Sequence, residues 1–333
     1  MHPERHPYGL RGALSALLLA GTLACALPCA AFDLQGHRGA RGLAPENTLA
    51  GLATALRIGV STLEFDTGVS ADGVLVLAHD PRLNPDFTRD AAGRWLEPPT
   101  PALHTLPLKA LQAYNVGRLR PGTRYAETFS AQLPADGERM PTLDQVFEQV
   151  RRWGATQVRF NIESKISPLA PELAPSPERF AELLVQAVRR HGLAARVTLQ
   201  SFDWRTLLAA RALAPEIETV ALTVQGPSFD NLADGRWTAG LRLQDHAGSV
   251  PRLVRAAGAR TWSPQHQTLT RQTLQEAQAL GLRVVPWTVN QSADIERLLD
   301  WGVDGLISDY PDRVRAALER RGLPLPPALT LPN

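Results

Sequence analysis

Two acids and two histidines lie close together in the first quarter of this sequence, and their spacing suggests hydrolytic chemistry. Glu64 and Asp66 are separated by one residue, and His37 and His79 flank them on either side. In a β-strand, side chains two residues apart project from the same face, so both carboxylates would point the same way. Converging carboxylates repel each other unless a cation lies between them, and imidazoles exchange protons near neutral pH. The combination predicts metal-assisted hydrolysis with histidines as general acid and general base.

Ordered motifs around these residues indicate a family that the chain resembles. Residues 36–48 contain GHRG and PENT, LEFD follows at 63–66, and a predicted hairpin ends in His79 and Asp80. IESK at 162–165 and DGLISDYP at 304–311 extend the match towards the end of the chain. In this order the motifs resemble the glycerophosphodiester phosphodiesterase family of TIM-barrel, phospholipase C-like phosphodiesterases. The resemblance implies metal-dependent hydrolysis of glycerophosphodiesters to glycerol 3-phosphate and an alcohol.

Three acids are candidates for a metal site. Glu64, Asp66 and Glu163 fall at the ends of predicted strands, and ligand sets made only of oxygen suit a hard cation such as Ca²⁺ or Mg²⁺. The resemblance implies that these three residues hold one divalent cation, whose identity stays open. From the residues alone, the acids could equally form salt bridges with Arg38 and Lys165 at the rim of a barrel.

The resemblance also implies roles for residues around the acids. His37 and His79 would be the acid–base pair, one deprotonating water or a substrate hydroxyl and the other protonating the departing alcohol. The sequence does not tell which histidine does which. Arg38 and Lys165 are candidates for binding the phosphate, arginine through a planar fork of nitrogens and lysine as a point charge. Trp287 is expected either to wall the substrate pocket or to pack at the rim.

Glu46 and Asn47 follow Pro45 at a predicted helix start. Asparagine at such a position favours helix capping, because its side chain accepts backbone N–H groups. The resemblance implies instead that this loop supports the metal ligands through contacts behind them. Both interpretations stand at this point.

The elements that would position these residues alternate as strand and helix, which is typical of a parallel α/β architecture. Eight such pairs predict a (β/α)8 TIM barrel, with catalytic groups at the carboxyl ends of the strands. The predicted strands are 34–38, 62–68, 157–164, 196–202, 219–224, 260–263, 282–289 and 305–308. The predicted helices are 46–59, 141–150, 177–191, 204–213, 251–257, 271–280, 292–301 and 311–321.

Two segments lie outside this alternation of strands and helices: one interrupts it and the other follows it. After strand two, residues 74–78 predict the return strand of a hairpin, and residues 81–140 are rich in Pro, Gly, Arg and Thr. Because a structureless loop of that length is unusual in a compact domain, we expect an inserted small subdomain that leans over the strand ends. The barrel is expected to span residues 32–322, and the proline-rich residues 323–333 are expected to form a loose tail.

The beginning of the chain has the pattern of a signal peptide, predicted for residues 1–31. Arg5 and Arg11 precede a short apolar run, and Cys29-Ala30-Ala31 offers small residues for cleavage. The apolar run is too short to span a bilayer comfortably, although an uncleaved anchor is the alternative. We therefore expect an exported protein, periplasmic or secreted, with no stable membrane insertion after cleavage. The two cysteines of the chain lie in this segment, which excludes disulfides and cysteine-bound zinc from the mature protein.

Composition limits the partners. The 333 residues carry a formal net charge of only +2, and neither a nucleotide-binding glycine loop nor a basic–aromatic nucleic-acid pattern is present. We expect a small-molecule phosphodiester and no nucleic acid; the oligomeric state is open. One alternative keeps the barrel but acts on lysophospholipids, like a phospholipase D. An open apolar groove in the insertion would favour that alternative, and a small polar cap would favour soluble diesters. A remote alternative is a protein that binds phosphodiesters without cleaving them.

Overall fold

The computed structural model describes residues 1–4 and 31–331. Residues 32–333 form one compact unit. Most of the predicted signal peptide, residues 5–30, lies outside the described residues. In the part of the chain that is described, no helix is long and apolar enough to cross a membrane.

Eight parallel strands form the centre of the molecule, and one short antiparallel strand lies beside them. The strands are β1 (Asp33–Gly36), β2 (Thr62–Val69), β3 (Leu75–Leu77), β4 (Arg159–Ser164), β5 (Val197–Ser201), β6 (Glu218–Thr223), β7 (Thr261–Pro264), β8 (Arg283–Val284) and β9 (Gly305–Ser308). The parallel strands pair in the order β8-β7-β6-β5-β4-β2-β1-β9, and β3 pairs with β2 as the predicted hairpin. Backbone hydrogen bonds from Ile307 N to Pro286 O (3.1 Å) and from Val289 N to Ile307 O (2.9 Å) connect the two ends of this order. The predicted TIM barrel is confirmed.

A helix follows each of the eight parallel strands or its hairpin, and two further short helices lie in the insertion. The helices are α1 (Leu49–Ile58), α2 (Leu108–Leu111), α3 (Arg124–Thr128), α4 (Leu143–Arg152), α5 (Pro177–Arg190), α6 (Trp204–Leu213), α7 (Val250–Ala257), α8 (Arg271–Ala279), α9 (Ser292–Trp301) and α10 (Pro311–Arg320). The buried faces of the eight helices that follow the strands pack on the barrel in one apolar core, which includes Leu56, Val188, Leu253 and Leu298. Every residue of β2 is buried, as expected for a parallel strand covered on both faces.

Two predicted boundaries are wrong by several residues, each for a local reason. Helix α1 begins at Leu49 rather than at Glu46, because Thr48 is the capping residue: its side chain accepts a hydrogen bond from Gly51 N. Strand β8 comprises only Arg283–Val284 instead of residues 282–289. Pro286 has no backbone N–H to donate, although Trp287 N still donates to Pro264 O at 3.0 Å and continues the pairing.

The insertion between β3 and α4 has an apolar cluster of its own, as expected for a small subdomain. Leu83, Leu103, Leu111, Val116 and Met140 are buried together in this cluster. The insertion also contacts the loop after β1: Leu133 N donates to Leu43 O at 2.9 Å, and Gln132 Nε2 donates to Arg41 O at 2.7 Å. It therefore leans over the carboxyl end of β1, where candidate residues lie.

Residues 323–331 pack more closely than the loose tail expected from the sequence. They contain no regular secondary structure, but Leu331 is buried in the main core and Leu329 N donates to Leu56 O at 3.0 Å. Arg315 Nη1 donates to both Gly59 O (3.0 Å) and Pro326 O (2.7 Å), which fixes the tail beside α1. The apolar side chains of the tail therefore pack against the rest of the barrel, even though the tail is rich in proline.

Candidate active site

The three predicted acids meet at the carboxyl end of the barrel. Glu64 and Asp66 project from the same face of β2, and Glu163 lies directly opposite Asp66 on the neighbouring strand β4. One carboxylate oxygen from each acid can be chosen so that all three lie within 4.8 Å of one another, and all three side chains are buried. The side-chain period of two and the parallel register between β2 and β4 produce this cluster.

Neighbouring groups hold Glu64 and Asp66 in place. Gln200 Nε2 donates to Glu64 Oε1 at 2.6 Å, and the backbone N–H of Arg38 donates to Glu64 Oε2 at 2.8 Å. Asn47 contacts Asp66 twice: its Nδ2 donates to Asp66 Oδ2 at 3.0 Å, and its Oδ1 accepts from Asp66 N at 3.1 Å. The capping interpretation of Asn47 is therefore wrong, because its side chain is bound to Asp66 and Thr48 caps the helix.

Burial and mutual repulsion give the acids different pKa values. Burial, together with the charge of Asp66, raises the pKa of Glu64 well above its ordinary value. Burial also raises the pKa of Glu163 to about 7, although Lys165 opposes the change. For Asp66 burial acts in the same direction, but the charges of Arg38 and Lys165 outweigh it and hold the pKa well below its usual range. Without a cation, the cluster therefore tends to retain protons on its two glutamates.

The cluster fits a hard divalent cation. Its ligands are all carboxylate oxygens, as Ca²⁺ and Mg²⁺ prefer. Among the residues that the structure describes, Asp66 Oδ1 is buried and has no hydrogen-bond partner; Lys165 Nζ is 3.7 Å from it. A buried carboxylate oxygen without a donor is costly, and a cation between the three acids would satisfy it.

His37 lies against an aspartate from the far end of the chain. Its Nδ1 is 2.6 Å from Asp309 Oδ1, after β9. Arg41 Nε (2.9 Å) and Asn290 Nδ2 (2.7 Å) donate to the same carboxylate and fix its position. Because a carboxylate is only an acceptor, a neutral His37 carries its proton on Nδ1 and keeps Nε2 free to accept one. Burial lowers the pKa of His37, and Asp309 offsets this only in part.

His79 has the same arrangement with a neighbouring residue. Its Nδ1 is 2.7 Å from Asp80 Oδ1, and Asn84 Nδ2 donates to Asp80 Oδ2 at 2.6 Å. Burial, with Lys165 and Arg38 adding to it, lowers the pKa of His79 to about 4. Both histidines are near enough to Asp66 for their charges to lower its pKa. The structure thus brings two imidazoles, each backed by an aspartate, to one acid cluster.

The two predicted phosphate-binding cations border the cluster in different ways. Lys165 Nζ is 2.7 Å from Glu163 Oε1, and the side chain is 17% exposed, so it can reach a ligand at the mouth. Arg38 is more buried: its Nη1 donates to Glu46 Oε1 at 2.8 Å, and its Nε is 3.2 Å from Asp66 Oδ2. Arg38 and Glu46 thus form part of the support beneath Asp66.

Trp287 lines a cleft beside Lys165 and does not merely pack at the rim. The cleft has a volume of about 370 Å³, and His79, Glu163 and Lys165 form part of its wall. The Trp287 ring lies edge-to-face against Phe202, with centroids 5.2 Å apart. The candidate site residues His79, Glu163 and Lys165 and this aromatic wall therefore share one space.

Several residues of the site lack a role in the sequence prediction. Asp309 contacts His37 from 272 positions further along the chain, and Asn290 donates a hydrogen bond to Asp309. Arg41 lies within the GHRGARG run, four residues after His37, and this proximity in sequence could have indicated that it belongs to the site. Tyr125 lies in the insertion and donates a hydrogen bond to Glu46. No local pattern indicates that contact.

Comparison with known proteins agrees with this geometry. Residues 37–313 match the model of the glycerophosphoryl diester phosphodiesterase family. The chain belongs to this family. A glycerophosphodiester phosphodiesterase of Bacillus subtilis (strain 168) is 28% identical over 284 residues, which are 83% of this chain and 83% of the relative.

Solved structures share the architecture. One from Silicibacter pomeroyi DSS-3, named as a candidate glycerophosphoryl diester phosphodiesterase, is 34% identical, with a TM-score of 0.79 over 88% of this chain and 95% of that one. An Oleispira antarctica phosphodiesterase in complex with its product sn-glycerol-3-phosphate is 24% identical, with a TM-score of 0.62 over 86% of this chain and 96% of that one, and shares the fold. The predicted family and enzyme class are confirmed.

Proposed function

We propose that this member of the family hydrolyses glycerophosphodiesters of deacylated phospholipids to glycerol 3-phosphate and a free alcohol, with one divalent cation held by Glu64, Asp66 and Glu163. One observation carries the proposal: a buried cluster of three acids, with an unpartnered carboxylate oxygen among the described residues, is flanked by two histidines backed by aspartates. Ca²⁺ or Mg²⁺ would suit these ligands.

The charges around the cluster suit a phosphodiester anion. Lys165 Nζ is the accessible cation and would bind a non-bridging phosphate oxygen, while Arg38 contributes positive charge from beneath. When bound, the divalent cation would supply further stabilisation of the negative charge that builds at the phosphate oxygens. Lys165 keeps its own charge at neutral pH, because Glu163 and Asp66 outweigh the effect of burial and raise its pKa.

The two histidines would move the protons of the reaction. One accepts a proton at Nε2 from the attacking water or from a substrate hydroxyl, and the other donates a proton to the departing alcohol. Asp309 would stabilise the imidazolium form of His37, and Asp80 would stabilise that of His79. Because burial lowers both histidine pKa values, we expect the negative charge of the bound phosphodiester to favour protonation of the donor histidine.

The test is a panel of glycerophosphodiesters, including glycerophosphocholine and glycerophosphoethanolamine, assayed with Ca²⁺, Mg²⁺ and a chelator. We expect activity with a divalent cation and none with the chelator. His37→Ala and His79→Ala should each lose about 100-fold or more while keeping the circular dichroism of the wild type. His246→Ala, at a histidine without an assigned role, is the matched control. Full activity in either site variant would remove the acid–base assignment, and tight binding without turnover would favour the non-catalytic alternative.

Export is a separate part of the proposal and rests on the sequence of residues 1–31. Cleavage near Ala31 or Phe32 would leave residues 32–333, which form one compact unit. Amino-terminal sequencing of the protein recovered outside the cytoplasm would test it. A protein retained in the cytoplasm with its first residues intact would contradict it.

A further inference from the structure

A row of buried side-chain amides crosses the interior of the barrel beneath the acid cluster. Gln35 on β1, Asn161 on β4 and Gln200 on β5 are each at most 4% exposed. Branched apolar side chains usually fill the interior of a TIM barrel, and the next strand follows that rule, with Val220 of β6 in register with Gln200. Burying an amide costs free energy unless its hydrogen bonds are satisfied, so this row depends on the pairing of its members.

Hydrogen bonds join the row to a carboxylate at each end. Gln35 Nε2 donates to Asp33 Oδ2 at 2.9 Å. Gln200 Nε2 donates to Glu64 Oε1 at 2.6 Å. Asn161 lies between the two glutamines, and its Nδ2 donates to the Oε1 atoms of both at 2.9 Å. The three amides and these four hydrogen bonds, called here the amide chain, connect the first residue of β1 to a member of the acid cluster.

The two carboxylates determine the direction of every bond in the amide chain. An ionised carboxylate, the form that binds a cation, accepts hydrogen bonds and donates none. Each glutamine therefore points its NH2 group at its carboxylate and its carbonyl oxygen at Asn161. Asn161 then donates both of its N–H groups, and its Oδ1 accepts from Thr198 Oγ1 at 2.9 Å. Reversing one glutamine would place two acceptors together on one side and two donors on the other, and buried groups left without partners are costly.

Asp33 is the fixed end of the amide chain. Its Oδ1 accepts from Ser61 Oγ at 2.8 Å and from Thr62 Oγ1 at 2.6 Å, and Arg159 Nη2 lies 2.8 Å from the same oxygen. Burial opposes ionisation of Asp33, but the charges of Arg159 and Arg283 outweigh it and hold its pKa below the ordinary value. Asp33 is therefore ionised at neutral pH and imposes a single direction on the amides.

At the other end, the amide chain holds the carboxylate of Glu64 in one orientation. Gln200 donates to Oε1, and the backbone N–H of Arg38 donates to Oε2 at 2.8 Å, so both oxygens are held. Each oxygen keeps a lone pair for a cation shared with Asp66 and Glu163. Removing a group that orients a metal ligand from behind typically lowers metal affinity about tenfold to a hundredfold.

We propose that the three residues of the amide chain position Glu64 as a ligand of the cation, and that Asp33 sets the direction of their hydrogen bonds from the opposite end of the barrel. The proposal rests on the function proposed above, because it takes Glu64 as a cation ligand. Neither Asp33 nor an amide needs to touch the cation or the substrate. Their effect on cation affinity passes through uncharged side chains, since each glutamine can donate to its carboxylate only when its carbonyl oxygen faces Asn161.

Calorimetric titration with Ca²⁺ or Mg²⁺ at pH 8 tests the middle of the amide chain. Asn161→Asp keeps the size of the side chain but replaces the double donor with an acceptor, so the glutamines lose their partner. We expect the Kd of the cation to rise about tenfold to a hundredfold. The added negative charge alone would tighten binding, so weaker binding cannot come from charge. Asn231→Asp makes the same change at a fully buried asparagine in the loop after β6; it is the matched control and should not weaken binding.

A double-mutant cycle tests the far end of the amide chain. Asp33→Asn lets Gln35 reverse, because an asparagine can donate as well as accept, and should raise the Kd about twofold to tenfold. The same substitution should have no effect in an Asn161→Leu background, where the amide chain is cut. Gln35→Leu cuts it at the next link and replaces that background if Asn161→Leu does not fold. Asp304→Asn, at the same end of the barrel, is the control: Asp304 Oδ2 accepts from Val284 N at 2.7 Å and lies outside the amide chain.

Melting temperatures separate positioning from loss of the fold, because a merely structural role would lower Tm without changing the Kd. A wild-type protein that binds no divalent cation would remove the proposed function and the inference with it. Cation binding in the wild type, with an unchanged or lower Kd in Asn161→Asp, would overturn the inference alone. No effect of Asp33→Asn in the wild type, or equal effects in both backgrounds, would also overturn it, because any coupling would then bypass the amides.

Discussion

Binding of a divalent cation should release protons from the acid cluster, and the raised pKa of Glu163 determines the pH range in which this release occurs. Burial raises the pKa of Glu163 to about 7 from an ordinary value of 4.5. A pKa that is raised in the folded protein means that folded Glu163 keeps its proton between pH 4.5 and 7 while the unfolded chain has lost it. Its contribution to the free energy of unfolding is therefore fully present below pH 4.5 and is lost as the pH rises through about 7.

The size of the effect follows from the same values. The difference between a pKa of about 7 and the ordinary value of 4.5 corresponds to a free-energy cost of about 3 kcal/mol for ionising Glu163 in the site without a cation. A cation needs the charged form, so it must displace about three quarters of a proton at pH 6.5 but only about one tenth at pH 8. Glu64, whose pKa is also raised, adds to the release. The pKa of His79, about 4, keeps that histidine out of this range.

Isothermal titration of the cation-free protein with Ca²⁺ or Mg²⁺, in buffers of different ionisation enthalpy, measures this release. We expect tighter binding and fewer released protons at pH 8 than at pH 6.5. Glu163→Gln should bind the cation more weakly and lose most of the difference between the two pH values. Glu172→Gln, on the exposed turn that follows β4, is the control for the same chemical change. Proton release that is zero, or equal at both pH values in the wild type, would refute the reasoning.

Three further predictions concern the supports of the site and the tail. Asp309→Asn should leave folding intact but lower kcat about 100-fold or more, because His37 loses its charged partner; steady-state kinetics with circular dichroism as a control will measure this. Tyr125→Phe removes the hydrogen bond to Glu46 and should lower the free energy of unfolding by about 1–2 kcal/mol, which urea titration can measure, and a wild-type value would contradict it. Deletion of residues 323–333 exposes the apolar surface that the leucines of the tail cover, and it should lower the free energy of unfolding by about 2–3 kcal/mol. It should lower Tm while kcat is unchanged; a lower kcat at a temperature where the protein is folded would argue against this.

The sequence predicts the acid cluster correctly because its geometry is local. Glu64 and Asp66 are two apart on one strand, and the rule that catalytic groups lie at the carboxyl ends of barrel strands places Glu163 beside them. Those two regularities are sufficient to bring the three acids together. The barrel itself follows in the same way, since eight alternating strands and helices have few other arrangements.

What sequence patterns cannot supply is the choice among long-range partners. Asp309 contacts His37 across 272 positions, and many other acids could have matched it as well. Asn47 and Thr48 are both good capping residues, and only the tertiary contact with Asp66 decides that Thr48 has that role. Tyr125 belongs to an insertion without periodicity, so its contact with Glu46 depends on how the subdomain docks.

The position of the carboxyl tail has a practical consequence. Gly59, which the tail approaches, comes just before β2, whereas Glu64 and Asp66 are further along that strand towards the mouth. The last described residues are therefore anchored at the face of the barrel opposite the acid cluster. Immobilised through its carboxyl terminus on a sensor chip or a bead, the enzyme would hold its mouth towards the bulk solution. A fusion partner added at that end would not obstruct the approach of substrate.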